Sequence, residues 1–155
     1  MQDKSLPQLD DLYKEIILDH YRNPYGRVPV ESVDYKAEGM NPLCGDEIHL
    51  CLQIKENKIE KVNLESHGCS ISVASGSMLA QILEGKTIDE AKILSNHLKD
   101  IMHDKVKMKN GKKIDIGDLE ALEGVKKFPV RIKCALLPWT TFEESLVGHE
   151  HVEIS

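Results

Sequence analysis

An α+β fold, with helices gathered mainly on one face of a small three-stranded antiparallel sheet, is the architecture that this sequence predicts. Two observations carry it. One amphipathic helical pattern precedes a group of strand-like segments, and only helical patterns follow them. Nothing between the strands has the length and periodicity of a parallel βαβ crossover. The 155 residues suit a single domain, 1–155, with its core over about 9–146. With 41% apolar residues but only 5% aromatics, that core must be mainly aliphatic.

From Leu9 to Tyr21 the apolar residues Leu9, Leu12, Tyr13, Ile16, Ile17 and Tyr21 recur at helical spacing, and Asn23-Pro24 ends the helix. Gly26, Pro29, Gly39 and Pro42 break the next stretch, leaving room for a short edge strand over Val33–Ala37. Glu47–Ile54 and Ile59–Ser66 are then predicted as strands around Lys55-Glu56-Asn57-Lys58, which has the length and polarity of a hairpin connection. Ile48, Leu50, Leu52 and Ile54 share one face of the first strand, whereas Ile59, Val62 and Leu64 do not alternate cleanly in the second.

Ser70–Leu83 reads as a helix with Ser70 as its N-cap and Gly85 just beyond its end; its small residues, Ser72, Ala74, Ser75, Gly76, Ser77 and Ala80, suit close packing. Thr87 and Glu90 make a capping box ahead of an apolar stripe, Ile88, Ala91, Leu94, Leu98, Ile101 and Met102, that reads as plain core packing. Lys105–Gly117 is polar and reads as a loop, and Ile116–Leu122 as a short helix. Phe128-Pro129 opens a last helix running to Leu146, with Pro138 as a point of kinking, and residues 148–155 read as a frayed tail.

A formal charge of −6 argues against nucleic acid as a partner, because phosphate contacts need clustered Lys and Arg. The one dense basic run, Lys105 to Lys113, surrounds the turn signal Asn110-Gly111 and reads as a solvated loop tip. No apolar run of secretory or membrane-spanning length occurs, so no membrane association is expected and the expected location is the cytoplasm. Thiols stay reduced there, which makes the four cysteines candidates for metal ligands, reactive thiols or core residues rather than disulfides.

Asn41-Pro42-Leu43-Cys44-Gly45-Asp46 delivers a thiol and a carboxylate two residues apart at the entrance to a strand, where positions i and i+2 point the same way. Gly45 lets the backbone bend so that both approach one ion, and a soft thiolate beside a hard carboxylate suits zinc or iron. Cys69 stands just before a helix, where free N–H groups favour a thiolate, although a small residue buried at that corner fits equally well. Cys134 follows Lys133 directly and Arg131 by about a turn, so two cations can stabilise its thiolate; a buried helical cysteine fits as well. Cys51, seven positions after Cys44, falls on the opposite face of its strand and is assigned to packing.

Among the histidines, His67 adjoins a candidate ligand and is a second choice to Asp46 in a metal shell. His149 and His151 are able to bind metal, but on a frayed tail they are expected in solvent; His20, His49, His97 and His103 have no partner at motif spacing. The sequence contains no phosphate loop, no nucleophile elbow, no His-Glu-x-x-His helix and no Cys-x-x-Cys pair, so any four-ligand site has to be assembled by the fold.

Asn41-Pro-Leu-Cys-Gly-Asp46, Gly68-Cys-Ser-Ile-Ser-Val-Ala-Ser-Gly-Ser-Met78 and Arg131-Ile-Lys-Cys134 resemble the three signature blocks of the IscU/NifU-type scaffold superfamily, as does the opening helix through Asn23-Pro24. The resemblance spans about Leu9 to Leu146. Lys133 stands where cluster scaffolds carry a histidine, residues of about 96–117 look inserted, and a double-proline chaperone motif is reduced to Phe128-Pro129-Val130. These features resemble the SufU branch.

That resemblance implies an IscU/SufE-like α+β fold and a zinc site made by Cys44, Asp46, Cys69 and Cys134. It implies a sulfur acceptor serving iron–sulfur cluster assembly. On this resemblance Cys44 would take persulfide sulfur from a pyridoxal-phosphate cysteine desulfurase of the SufS type, after a ligand exchange in which the desulfurase occupies a zinc position. A downstream cluster scaffold or apo iron–sulfur protein would receive the sulfur. The alternative is a scaffold on which iron or a transient [2Fe–2S] cluster occupies the same ligands, and a plainer one is a zinc-stabilised interaction domain. Arg131 is expected to orient Asp46 or to guard the site.

Overall fold

The computed structural model describes residues 11–105 and 116–154. Leu9, the Asn110-Gly111 turn with most of the basic run, and part of the expected insertion lie outside the described residues; Asn96 to Met102 belong to a helix.

Strands β1 (Tyr35–Asn41), β2 (Asp46–Lys55) and β3 (Lys58–His67) form an antiparallel meander, and β4 (His151–Glu153) adds to the edge of β1 in parallel, giving the order β3-β2-β1-β4. The sheet therefore has four strands, not three, and the segment expected to fray supplies the fourth. Three residues are too few to show a period of two. The strand is held instead by non-local contacts: Glu38 N–H to the Glu150 carbonyl at 2.8 Å, Ile154 N–H to the Met40 carbonyl at 2.9 Å, and His151 Nδ1 to Glu38 Oε1 at 2.8 Å.

β1 starts later and runs further than the expected Val33–Ala37. Gly39, read as a breaker, lies inside it because α4 (Pro129–Leu146) crosses there: a Cβ on Gly39 would stand 2.0 Å from Thr141 Oγ1. The β2–β3 hairpin turns through Glu56 and Asn57, both with positive φ (53° and 63°), a two-residue connection whose twist suits the strands. One register shift lies between Gln53 and Ile54, with Ile54 opposite Ile59 and Gln53 opposite Lys61, so Glu60 is the extra residue of a β-bulge. That bulge explains the broken alternation in the sequence, since it lets Ile59 and Val62 both face the core.

On the inner face of the sheet lies α2 (Ser70–Leu83), with twelve of its fourteen residues buried, which makes it the central helix. Its N-cap position is Cys69 rather than Ser70, and no side chain caps it. Around it pack α1 (Asp11–Arg22), α4 and a 3₁₀ segment, Gly117–Lys127, longer than the expected helix over 116–122, and α3 (Ile88–Met102) packs against α4 and that segment. The capping box of α3 is formed in both directions, at 3.0 and 3.1 Å. α4 continues through Pro138. The core is aliphatic except for Trp139 and Phe142, both fully buried. Among the described residues no helix is long and apolar enough to cross a membrane.

α2 and α4 are joined by buried polar bonds: Ser75 Oγ donates to the Ala135 carbonyl at 2.5 Å and accepts from Trp139 Nε1 at 3.1 Å. Ser75→Ala removes the acceptor and leaves a buried indole N–H unpaired. The substitution is expected to lower stability by about 1–3 kcal/mol, read as a fall in the urea midpoint at unchanged slope.

Candidate metal centre

The candidate site forms where the β1–β2 ladder ends. Asn41 and Asp46 are its last paired residues, and the intervening loop is closed by the Cys44 N–H bonding to the Asn41 carbonyl at 3.2 Å. Gly45 takes φ +70° in this loop, the bend expected of it. β2 alternates strictly, so Asp46 falls on the inner face with Ile48, Leu50 and Leu52 and is only 1% exposed.

A carboxylate buried this deeply needs hydrogen-bond donors. The N-terminus of α2 supplies one: Cys69 N–H donates to Asp46 Oδ1 at 2.8 Å. The approach depends on Gly68, at φ +133°, where an added Cβ would stand 2.2 Å from Asp46 Oδ1 and 2.8 Å from its Cα. Asp46 Oδ2 is left 3.8 Å from Cys69 Sγ.

α4 brings in the third element. Cys134 is completely buried, with the Val130 carbonyl 3.8 Å and Asn41 Nδ2 4.0 Å from its Sγ. Donor atoms of Cys44, Asp46 and Cys134 all lie within 4.8 Å of one another, an arrangement that can hold a metal ion. Cys69 stands beside this trio, hydrogen-bonded to Cys134. The four residues expected as ligands thus come together from one loop, one strand end, one helix N-terminus and one helix, with three of them convergent.

The thiols do not titrate alike. The hydrogen bond from Cys134 holds the Cys69 thiol down at about 7 against the opposing effect of burial. Cys134 is pushed far upward, first because it donates that bond and then because burial and the neighbouring negative charges resist a second thiolate. Arg131 is half-buried; burial pulls its pKa down, but its hydrogen bond to Cys134 and attraction to Cys69, Cys134 and Cys44 more than offset this. Its contact is therefore with the thiols, and among the described residues no ion pair joins it to Asp46.

His67 is not brought in. It lies on the outer face of β3, opposite Glu47 in register, and is exposed. Cys51 also lies on the outer face, half-buried, as its separation from Cys44 requires. His149 pairs with Glu144, and His49 lies between Glu47 (3.0 Å) and Glu38 (3.4 Å), all away from the site. His20 is buried, bonded to Ser77 Oγ at 2.7 Å and Asp118 Oδ2 at 2.8 Å; partners so distant in sequence leave no motif to read.

Three thiols and one carboxylate fit a metal ion of zinc or iron type, and the orphaned oxygen of the buried Asn41 amide marks a site whose polar groups are not fully satisfied by the protein alone. Fold and donor set together define a thiol-rich α+β domain with a place for one metal. The chain belongs to the NifU-like N-terminal domain family, which matches residues 12–135. It is 42% identical over 142 residues to the zinc-dependent sulfurtransferase SufU of Bacillus subtilis, covering 92% of this chain and 94% of that one. It is 34% identical over 142 residues to the iron–sulfur cluster assembly scaffold protein IscU of Streptococcus pyogenes, covering 92% and 87%. The crystal structure of FiSufU from Fervidobacterium islandicum superposes with a TM-score of 0.74 at 34% identity, over 85% of this chain and 94% of the other.

Gly68→Ala forces Asp46 away from Cys69. Metal affinity is expected to fall about 10- to 100-fold in a chelator competition. Gly85→Ala, which also has positive φ (+87°) but meets nothing within 4 Å, serves as the control for strain alone and should retain wild-type affinity.

Proposed function

We propose that this protein is a zinc-binding sulfur acceptor in iron–sulfur cluster assembly, taking persulfide sulfur on Cys44 from a cysteine desulfurase of the SufS type. The convergence of Cys44, Asp46 and Cys134 carries the reading, and similarity to a zinc-dependent sulfurtransferase along nearly the whole chain supports it. The proposed ligands are Cys44, Asp46, Cys69 and Cys134. Zinc, when bound, supplies the charge that keeps such thiols deprotonated at neutral pH.

Cys44 suits the acceptor role because it sits on a loop, half-exposed, beside the exposed Leu43, whereas Cys134 is sealed within the core. Its thiolate attacks the outer sulfur of the desulfurase persulfide. The new S–S bond forms on Cys44 as the old one breaks, and the desulfurase cysteine leaves as a thiolate. Asp46 keeps its buried position through the Cys69 N–H while Cys44 reacts. Sulfur then passes to a cluster scaffold or an apo iron–sulfur protein. A cytoplasmic setting, where thiols stay reduced, suits this chemistry.

Adding the protein to a SufS-type desulfurase and cysteine should accelerate alanine release, and Cys44→Ala should return the rate to that of the desulfurase alone, with mass spectrometry finding persulfide on Cys44 of the wild type. Unchanged turnover sinks the proposal. Similarity to the streptococcal IscU favours the scaffold reading as the competitor; anaerobic reconstitution followed by efficient cluster transfer to an apo-ferredoxin would establish it instead.

Metal removal supplies an independent check. A chelator should lower the melting temperature and added zinc should restore it, since free metal at a hundred times its dissociation constant contributes about 2.7 kcal/mol. An identical melt with and without chelator would rule out the metal site.

A further inference from the structure

Two buried side-chain oxygens among the described residues lack any hydrogen-bond partner, Asn41 Oδ1 and Ser66 Oγ, and only Asn41 belongs to the candidate site. Packing does not call for an amide at position 41, because an apolar side chain of the same size would fill the space without an unpaired acceptor. Asn41 nevertheless meets the site through three different groups. Its backbone pairs with Asp46 at the end of the ladder, its carbonyl accepts the Cys44 N–H at 3.2 Å, and its Nδ2 lies 4.0 Å from Cys134 Sγ, at the long end of the range for a bond to sulfur. The residue is fully buried, so water does not compete for these contacts.

We infer that Asn41 is a positioning residue whose side-chain N–H donates to the sulfur of Cys134, fixing Cys134 as the retained ligand and leaving Cys44 as the thiol that reacts. This rests on the metal-held sulfur acceptor proposed above. An N–H···S bond withdraws charge from a thiolate and makes it a poorer nucleophile, while orienting it toward the ion it serves. Cys44 receives only a backbone tether from the same residue, which sets its loop without engaging its sulfur. The difference between the two thiols therefore comes partly from one asparagine placed between them.

Cobalt substitution tests this without relying on activity. The wild-type protein loaded with cobalt should show thiolate-to-cobalt charge-transfer absorption. In Asn41→Leu, which keeps the volume and removes the donor, that band should move to longer wavelength and metal affinity should drop about 10- to 100-fold. A folded Asn41→Leu protein with an unmoved band and wild-type affinity overturns the role of Asn41. If the wild type shows no charge-transfer band at all, the metal-site reading fails instead. Should Asn41→Leu not fold, the wild-type protein carrying an NMR-active cadmium ion gives the answer: scalar coupling from cadmium to the Asn41 side-chain amide protons supports the bond, and its absence overturns it.

Discussion

The hydrogen bond from the Cys69 N–H to Asp46 is the contact on which the rest of the site depends. Strict alternation along β2 leaves Asp46 no choice but to point inward with Ile48 and Leu50, and a carboxylate placed there without donors would cost several kcal/mol. The start of α2 meets that need, and Gly68 alone permits the approach. The same bond docks the central helix against the end of the sheet. Through Ser75 that helix also holds α4, and α4 carries Cys134. Backbone geometry, core packing and ligand placement therefore share one chain of contacts.

This arrangement concentrates negative charge where little water reaches. Cys69 is held low, Cys134 correspondingly high, and Asp46 is buried beside both, with Arg131 the cation in contact with the thiols. The hydrogen bond between Cys134 and Cys69 relieves part of that repulsion. A divalent ion relieves it better, because it compensates several anionic donors at once and lets each relinquish its proton. The electrostatics thus favour metal binding independently of any likeness to other proteins.

Much of this was legible from sequence because it is local. Helical periodicity located α1 and α3, boundary signals at Ser70 and Gly85 located α2, the Thr87/Glu90 capping box marked where α3 begins, and alternation set the face of β2. Cys44 and Asp46 were placed together by a two-residue spacing. What escaped was non-local. β4 is too short to show a pattern and exists through pairing with β1 across more than a hundred residues, as the Glu38–His151 contact shows. The bulge at Glu60 looked like poor alternation, and Gly39 looked like a breaker because the helix crossing it is distant in sequence. His67 lies two residues before Cys69 in sequence, yet the strand's alternation turns it to the outer face.

The elements that carry the proposed ligands also differ in stiffness, and this bears on the proposed exchange of one donor. Asp46 is anchored at a ladder end and by a helix N-terminus, and Cys69 belongs to that same junction. Cys134 lies in a helix, but Pro138, four residues later, has no N–H to give the Cys134 carbonyl, so the turn that carries this ligand lacks one of its restraints. Its side-chain contacts with Arg131, Cys69 and Asn41 compensate. Cys44 sits on a loop, held by one backbone bond from Asn41 and by a thiol contact with Cys134. A proposed donor set with three members tied into the core and one carried on a short loop is suited to exchanging that one, and the loop thiol, Cys44, is half-exposed.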